Sequence, residues 1–313
     1  MTVYSRTRTV TYPFVLTSLI LGLLVAAISS AQASETDPAA PIKLGAVKAA
    51  IVELESGKTL YSKHSDWVTP IASITKLMTA LVVMQSGQDL DEWIEIPKPD
   101  RETRKNAYSR IRIGSQLQRG NVLRLALMSS ENLAAYTLAA RYPGGVDAFV
   151  GQMNKTAASL GMSNTHFVDA SGLSSGNVST AEDLVKLIAA VSHYDKIREY
   201  STTARYTAHF RKPRYALGYG NTNRLVHRNS WDIELSKTGY ITEAGRCLVL
   251  LSKLEGRDVA MVFLDAFGKQ TPLGDAGRVK RWISTGDSGR IAGAALRYEQ
   301  SKSKEYPYLK DNL

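Results

Sequence analysis

The sequence predicts an α+β domain in which strands from both ends of the chain share one antiparallel sheet, with helices between them and one helix buried against the sheet. Three observations lead there. Gly45–Glu53 and Thr59–Lys63 are strand-like runs flanking the turn Glu55-Ser56-Gly57-Lys58, which makes a β-hairpin. Ser73–Ser86 is apolar on almost every side, through Ile74, Leu77, Met78, Leu81, Val82, Val83 and Met84, and stops at Gly87. A surface helix would keep a polar face, so this one belongs in the middle of a domain. Near the end, Glu234–Tyr240, Arg246–Leu254 and Asp258–Leu264 read as three strands, the last two joined by a tight turn at Glu255-Gly256.

The remaining elements follow in order. Thr69-Pro70 breaks the chain before the buried helix. Residues 88–119 are polar and irregular, with short strand-like pieces. Asn121–Met128 and Asn132–Tyr142 are two short helices, the second ended by Pro143-Gly144-Gly145. Val146, Phe149, Val150, Met153 and Leu160 keep helical spacing up to Gly161. Ser179 with Glu182 three residues later predicts a capping box, opening a helix through about His193. Residues 194–230, basic and Tyr-rich, read as strands and loops, and Gly274–Ile283 as a helix. No repeat or linker interrupts 45–285, so one domain is expected there, preceded by a linker over 34–44 and followed by a polar tail over 286–313 without an amphipathic stripe.

The chain has 313 residues, 44% of them hydrophobic and 22% charged, which excludes a disordered or low-complexity protein. A single cysteine, Cys247, excludes a disulfide scaffold and four-cysteine zinc sites. The five histidines show no close ligand spacing, so neither a metal nor a cofactor is expected. Arg6 and Arg8 precede an apolar run from Phe14 to about Ile28, and Ala31-Gln32-Ala33 fits a small-x-small cleavage site. Residues 1–33 therefore read as an export leader cleaved after Ala33, with no integral membrane anchor after processing. The alternative is an uncleaved N-terminal anchor. The net charge of +10 loses only two arginines with the leader. In an exported protein that charge points to an anionic wall polymer or simple solubility, not to nucleic acid.

Three short motifs carry chemistry. In Ser73-Ile74-Thr75-Lys76, serine and lysine share one helix face with Cβ atoms about 5–6 Å apart. The serine sits at a helix start, where free N–H groups favour negative charge, and a neutral lysine could take its proton. A lysine on the first turn of an apolar helix is costly unless used or paired. Ser301/Lys304 matches the same spacing but lies in the polar tail. In Ser129-Ser130-Glu131-Asn132, Ser130 and Asn132 stand side by side at a helix junction; Ser175-Gly176-Asn177 is a rival match that loop chemistry explains. In Lys237-Thr238-Gly239, a cation and a hydroxyl on a strand edge can hold a carboxylate, and the glycine lets a substrate backbone approach.

With these three motifs in this order, the chain resembles the low-molecular-mass penicillin-binding proteins, serine D,D-peptidases of the S11 family. The resemblance runs over most of 45–285. It includes Pro70–Thr79, Leu127–Asn132, Asp169-Ala170-Ser171-Gly172-Leu173, Asn177–Ala181 and Leu235–Tyr240. Within the family the chain is most similar to the D-alanyl-D-alanine endopeptidase (penicillin-binding protein 7) type. Its middle motif has glutamate where the carboxypeptidases commonly have glycine, and no second β-rich domain fits after residue 285. Leu133 departs from the small or basic residue expected after the asparagine.

The resemblance implies a β-lactamase/transpeptidase-like fold with a helical subdomain. It implies Ser73 as nucleophile, Lys76 as proton acceptor and Ser130 as relay to the leaving amine. Asn132 would bind the substrate amide, Lys237, Thr238 and Gly239 its carboxylate end, and the backbone N–H groups of Ser73 and Tyr240 would form the oxyanion hole. The expected substrate is cross-linked peptidoglycan in the periplasm, with β-lactam antibiotics as covalent inhibitors. Carboxypeptidase activity on pentapeptide stems is the alternative. A β-lactamase is disfavoured because residues 133–236 lack a Glu-x-x-Leu-Asn loop, and a penicillin sensor because the mature chain lacks a membrane helix.

Overall fold

A computed structural model describes residues 1–5, 7, 9, 42–99 and 108–310, without the side chains of 306–310. The chain divides into Met1–Pro38 and Ala39–Leu313. Of the first unit only Met1–Ser5, Thr7 and Thr9 are described, without regular secondary structure. The predicted leader's apolar run and cleavage point lie outside the described residues, as does the linker up to Pro41.

In the second unit, β1 (Ala46–Glu53) and β2 (Thr59–Lys63) form the opening hairpin. After β3 (Thr69–Pro70), a 3-10 turn over Ala72–Thr75 runs into α1 (Lys76–Gln85). The short strands β4 (Trp93–Glu95) and β5 (Gln116–Gln118) pair and lead to α2 (Arg119–Met128), α3 (Asn132–Ala140) and α4 (Gly145–Ser159). Then come β6 (Val178–Ser179), α5 (Ala181–Ser192), α6 (Asp195–Thr202) and the hairpin β7 (Arg205–Phe210)/β8 (Tyr215–Gly220). The chain returns to the sheet as β9 (Ile233–Ile241), β10 (Gly245–Leu254) and β11 (Arg257–Ala266). It ends in α7 (Thr271–Thr285) and α8 (Gly293–Lys310).

The main sheet is antiparallel with strand order β2-β1-β11-β10-β9, so both ends of the domain meet where β1 pairs with β11, as predicted. Side chains alternate between its faces. Val249, Leu251, Val262 and Leu264 pack toward α1 and the other helices, whereas Leu248, Leu250, Met261 and Phe263 pack toward α7. A sheet covered on both faces explains why β10 and β11 read as nearly continuous apolar runs. The turn between them has φ of +48° at Glu255 and +76° at Gly256, the left-handed pair that a two-residue hairpin turn needs. β9 is an edge strand, and the groove described below is lined by its Thr238, Gly239 and Tyr240.

Several expectations are corrected. The cap of α5 is Thr180, whose hydroxyl accepts from the Asp183 N–H; Ser179 instead bonds the Thr165 hydroxyl. Residues 195–202 are helical, not strand or loop. Only Ile197, Tyr200 and Ser201 of α6 are buried; they keep i, i+3, i+4 spacing, but over little more than one turn of a short, otherwise polar segment. Ile42 and Leu44 are buried, so packing starts inside the segment expected to be linker. Residues 293–310, expected as a polar tail, form α8. It docks through few and mostly polar groups: buried Ala295, the Tyr298 hydroxyl donating to Asp265 Oδ1 at 2.7 Å, and Glu299 paired with Lys63 at 2.9 Å. Such docking leaves no hydrophobic stripe to detect.

Candidate active site

Ser73 lies in the 3-10 turn and Lys76 opens α1, so the i, i+3 spacing brings the two side chains together as the sequence predicted. Lys76 is fully buried. Its Nζ is 2.8 Å from Ser73 Oγ, 2.7 Å from Asn132 Oδ1 and 2.6 Å from the carbonyl oxygen of Ser171. A neutral amine has two hydrogens and one lone pair. The two carbonyl-type oxygens take the hydrogens, which leaves the lone pair for the Ser73 hydroxyl. Burial lowers the Lys76 pKa to about 7, against the opposing pull of the Asp169 and Glu131 carboxylates.

Lys237 comes from the middle of β9 and is also buried. Its Nζ donates to Ser130 Oγ at 2.9 Å and to the Thr238 carbonyl at 2.7 Å. Burial pushes its pKa well down, and the nearby charge of Lys76 adds to the effect. For both lysines burial is the largest cause. Ser130 stands at the junction of α2 and α3, where its φ of +59° places a non-glycine residue in the left-handed region. That conformation is costly and aims its hydroxyl at Lys237.

The turn carrying Ser73 is gripped by two glycines. A side-chain carbon at Gly239 would lie 3.0 Å from the Ile71 carbonyl oxygen and 3.2 Å from the Ser73 amide nitrogen. This glycine therefore lets β9 approach the serine turn, a reason different from the one the sequence suggested. A side-chain carbon at Gly172, where φ is +80°, would lie 1.9 Å from the Ala72 carbonyl oxygen. The Gly172 loop is itself pinned. Asp169 Oδ1 accepts from the Ser171 and Gly172 N–H groups, and Thr79 Oγ1 donates to the Ala170 carbonyl. Asn177, the rival of Asn132, is fully buried and donates to Thr75 Oγ1 and the Asp169 carbonyl, so it holds the loop and does not face the groove.

Two cavities flank these residues. One, of about 460 Å³, is lined by Ser73, Ser130, Asn132, Thr238, Gly239 and Tyr240, and continues along Thr222, Arg224, Arg246 and Lys269. The other, of about 390 Å³, lies beyond Asn132 and is lined chiefly by Ile111, Ile113, Leu133, Tyr136 and Leu173. Leu133, the departure noted in the sequence, is thus a wall of the apolar pocket. Sequence reasoning missed the Ser171 carbonyl, Gly172, Arg224 and Thr222, whose hydroxyl accepts from Thr238 Oγ1 at 2.6 Å. A carbonyl leaves no mark on a sequence, and the other three lie outside the three motifs. Cys247 is buried in the core, and burial pushes its thiol up to about 12.

A profile of the peptidase S11 family, described as D-alanyl-D-alanine carboxypeptidase, matches residues 32–268. The chain is 44% identical to a D-alanyl-D-alanine endopeptidase of Pseudomonas aeruginosa, over 93% of this chain and 95% of that one. It is also 44% identical to the Escherichia coli protein of the same name, over 92% and 93%. Among solved structures it is similar to a Streptomyces DD-transpeptidase, with a TM-score of 0.71, 27% identity and coverage of 84% of this chain and 99% of that one. A penicillin-binding protein of Listeria monocytogenes in its cefotaxime-bound form gives a TM-score of 0.68 and 29% identity, covering 79% and 99%.

Proposed function

The chain belongs to the peptidase S11 family, and from that premise we propose that it is a periplasmic serine D,D-peptidase of peptidoglycan, chiefly an endopeptidase that opens D-Ala–diaminopimelate cross-links. The observation that carries the reading is the lone-pair arrangement around Lys76: a buried amine with pKa about 7, two oxygens for its hydrogens and a serine hydroxyl 2.8 Å away. The endopeptidase preference rests on the two relatives that are 44% identical over nearly the whole chain.

Ser73 Oγ attacks the carbonyl carbon of the D-alanyl bond as its proton passes to Lys76. The oxyanion forms against the backbone N–H groups of Ser73 and Tyr240. Ser130, between Lys76 and Lys237, delivers the proton to the departing amine as the C–N bond breaks. Asn132 orients the substrate amide, and Lys237 and Thr238 hold the carboxylate, with Gly239 keeping the strand close to the serine. Water then attacks the acyl ester, releasing a carboxylic acid and restoring the Ser73 hydroxyl. A β-lactam acylates the same oxygen by opening its ring amide. No helix among the described residues is long and apolar enough to cross a membrane; release from the membrane rests on the expected cleavage after Ala33.

Carboxypeptidase action remains the second reading, favoured by relatives of that name such as a Streptomyces protein at 32% identity over 65% of this chain. Digestion of cross-linked peptidoglycan separates the two. Monomers released from dimers support endopeptidase; loss of only the terminal D-alanine from pentapeptides moves the assignment to carboxypeptidase. Covalent labelling by a fluorescent penicillin tests the nucleophile, and a Ser73→Ala protein that still labels overturns it.

A further inference from the structure

On the proposed reading the leaving amine departs beside Ser130 and the carboxylate next to it rests on Lys237 and Thr238. Thr238 and Tyr240 are two apart on β9, so their side chains share one face of the strand. On that face the groove continues past Arg224, Arg246 and Lys269. A single carboxylate uses neither this length nor this charge. Elsewhere on the surface the cations are often paired, as in Arg124–Glu199, Arg198–Asp195 and Arg281–Asp287. Among the described residues, none of these three groove cations has an ion-pair partner.

Arg246 is held by a stacking contact. It lies on β10 opposite Tyr240, and its guanidinium carbon is 3.7 Å from the centre of the Tyr240 ring. Stacking occupies the face of the guanidinium and leaves its edge N–H groups for a planar, two-pronged acceptor such as a carboxylate. Lys269 stands just before α7, whose first turn has no acidic residue and contributes Pro272 and Leu273 to the same groove. The positive end of that helix adds to the field of the two side chains.

We propose that Arg246, stacked on Tyr240, and Lys269 form a subsite for a second carboxylate on the leaving side of the scissile bond. The preferred leaving group is then a peptide that carries a carboxylate beyond the one at Thr238, not a single D-alanine. This deepens the D,D-peptidase reading and rests on it. A lone D-alanine has one carboxylate to offer, whereas a diaminopimelate-bearing stem released from a cross-link brings at least two.

The test uses three peptides with one shared acyl half ending in D-alanine. Their leaving amines are D-alanine, D-2-aminoadipate, and the side-chain amide of D-2-aminoadipate, which has the same length without the second charge. The wild-type protein should favour the acid over the amide by tenfold or more in kcat/KM, mostly through KM, and high salt should shrink that ratio. Arg246→Ala should bring the ratio near one, Arg246→Lys should keep part of it, and Lys269→Ala should lower it. A wild-type ratio near one overturns the subsite, as does a ratio that survives both alanine substitutions. Penicillin labelling keeps the two readings apart. A wild-type protein that labels but shows no preference for the acid loses only the subsite, whereas one that does not label loses the serine peptidase reading. If Arg246→Ala does not label because it fails to fold, the wild-type ratio, its salt dependence and Lys269→Ala decide.

Discussion

Lys76 and Lys237 are both buried in one site, yet they are held in different ways. Lys76 sits on a helix and meets three oxygens drawn from the serine turn, α3 and the Asp169–Asn177 loop, with the Asp169 and Glu131 carboxylates near enough to oppose the loss of its charge. Lys237 sits on an edge strand and meets two oxygens, one of them the carbonyl of the next residue, with the charge of Lys76 working against its own. On the proposed mechanism the contrast separates two tasks. Lys76 is fixed and tuned near neutrality before substrate arrives. Lys237 lacks a negative partner until the substrate's carboxylate supplies one.

The largest effect should come from breaking each lysine in turn. Lys76→Met should lower the limiting rate of penicillin acylation by roughly 10³-fold, within the range usual for removing a general base. Lys237→Met should act mainly on binding, raising the β-lactam concentration for half-maximal rate. Stopped-flow acylation resolves the two parameters, and equal effects on both by both variants would erase the contrast.

The cage around Lys76 is the next target. Gly172→Ala puts a carbon against the Ala72 carbonyl oxygen at a φ of +80°. Backbone cannot yield there as a flexible side chain would, so the variant should lose about 4 kcal/mol or more of stability, a fall on the order of 10 °C in Tm, with slower acylation. Gly239→Ala meets its neighbours at 3.0 Å and beyond without a positive φ, so its loss should be smaller. Calorimetry on the two proteins orders them, and the reverse order would show that β9, not the Gly172 loop, sets the serine turn.

These two glycines also mark how far the sequence could be read. Contacts between close neighbours were legible, such as the Ser73–Lys76 spacing and the Glu255-Gly256 turn, and the strand runs at both ends of the domain foretold the shared sheet without its register. Ser130 and Lys237 were found as motif members, but their 2.9 Å contact spans 107 residues, and no local pattern encodes it. Gly172 was quoted only as part of a family motif, because its reason is a carbonyl a hundred residues away. The polar helices α6 and α8 were missed for the opposite cause. α6 keeps helical spacing over little more than one turn, at Ile197, Tyr200 and Ser201, and α8 holds on through a few scattered side chains, both in a composition that reads as loop.

The pH dependence sharpens the comparison further. Only neutral Lys76 accepts the serine proton, so acylation should rise with pH and level off above a midpoint of about 7. At pH 6 the rate should be about a tenth of its plateau, on the same logic. Lys237 should give the opposite sign in binding. A bound carboxylate favours its ammonium form, so an anionic ligand should take up protons on binding and bind more weakly as pH rises. Calorimetric titration in buffers of different ionisation enthalpy measures that uptake, and no uptake would mean that Lys237 keeps one protonation state throughout.

The smallest predicted effect isolates one carboxylate beside Lys76. Glu131 accepts the Leu133 N–H at the start of α3, and burial holds its own pKa above the ordinary carboxylate value, with Ser109 and that N–H pulling it back down. Its charge favours the ammonium form of Lys76. Glu131→Gln keeps an oxygen for the helix cap and removes the charge, so the ammonium loses support and the Lys76 pKa falls. The acylation profile should therefore move to lower pH by a fraction of a unit, with the plateau nearly unchanged. The difference from wild type should vanish at pH values low enough to protonate Glu131 itself. A shift to higher pH would reverse the sign of the coupling. A fallen plateau without a shift would mean that Glu131 serves the α3 cap alone and that Lys76 is tuned by burial and Asp169.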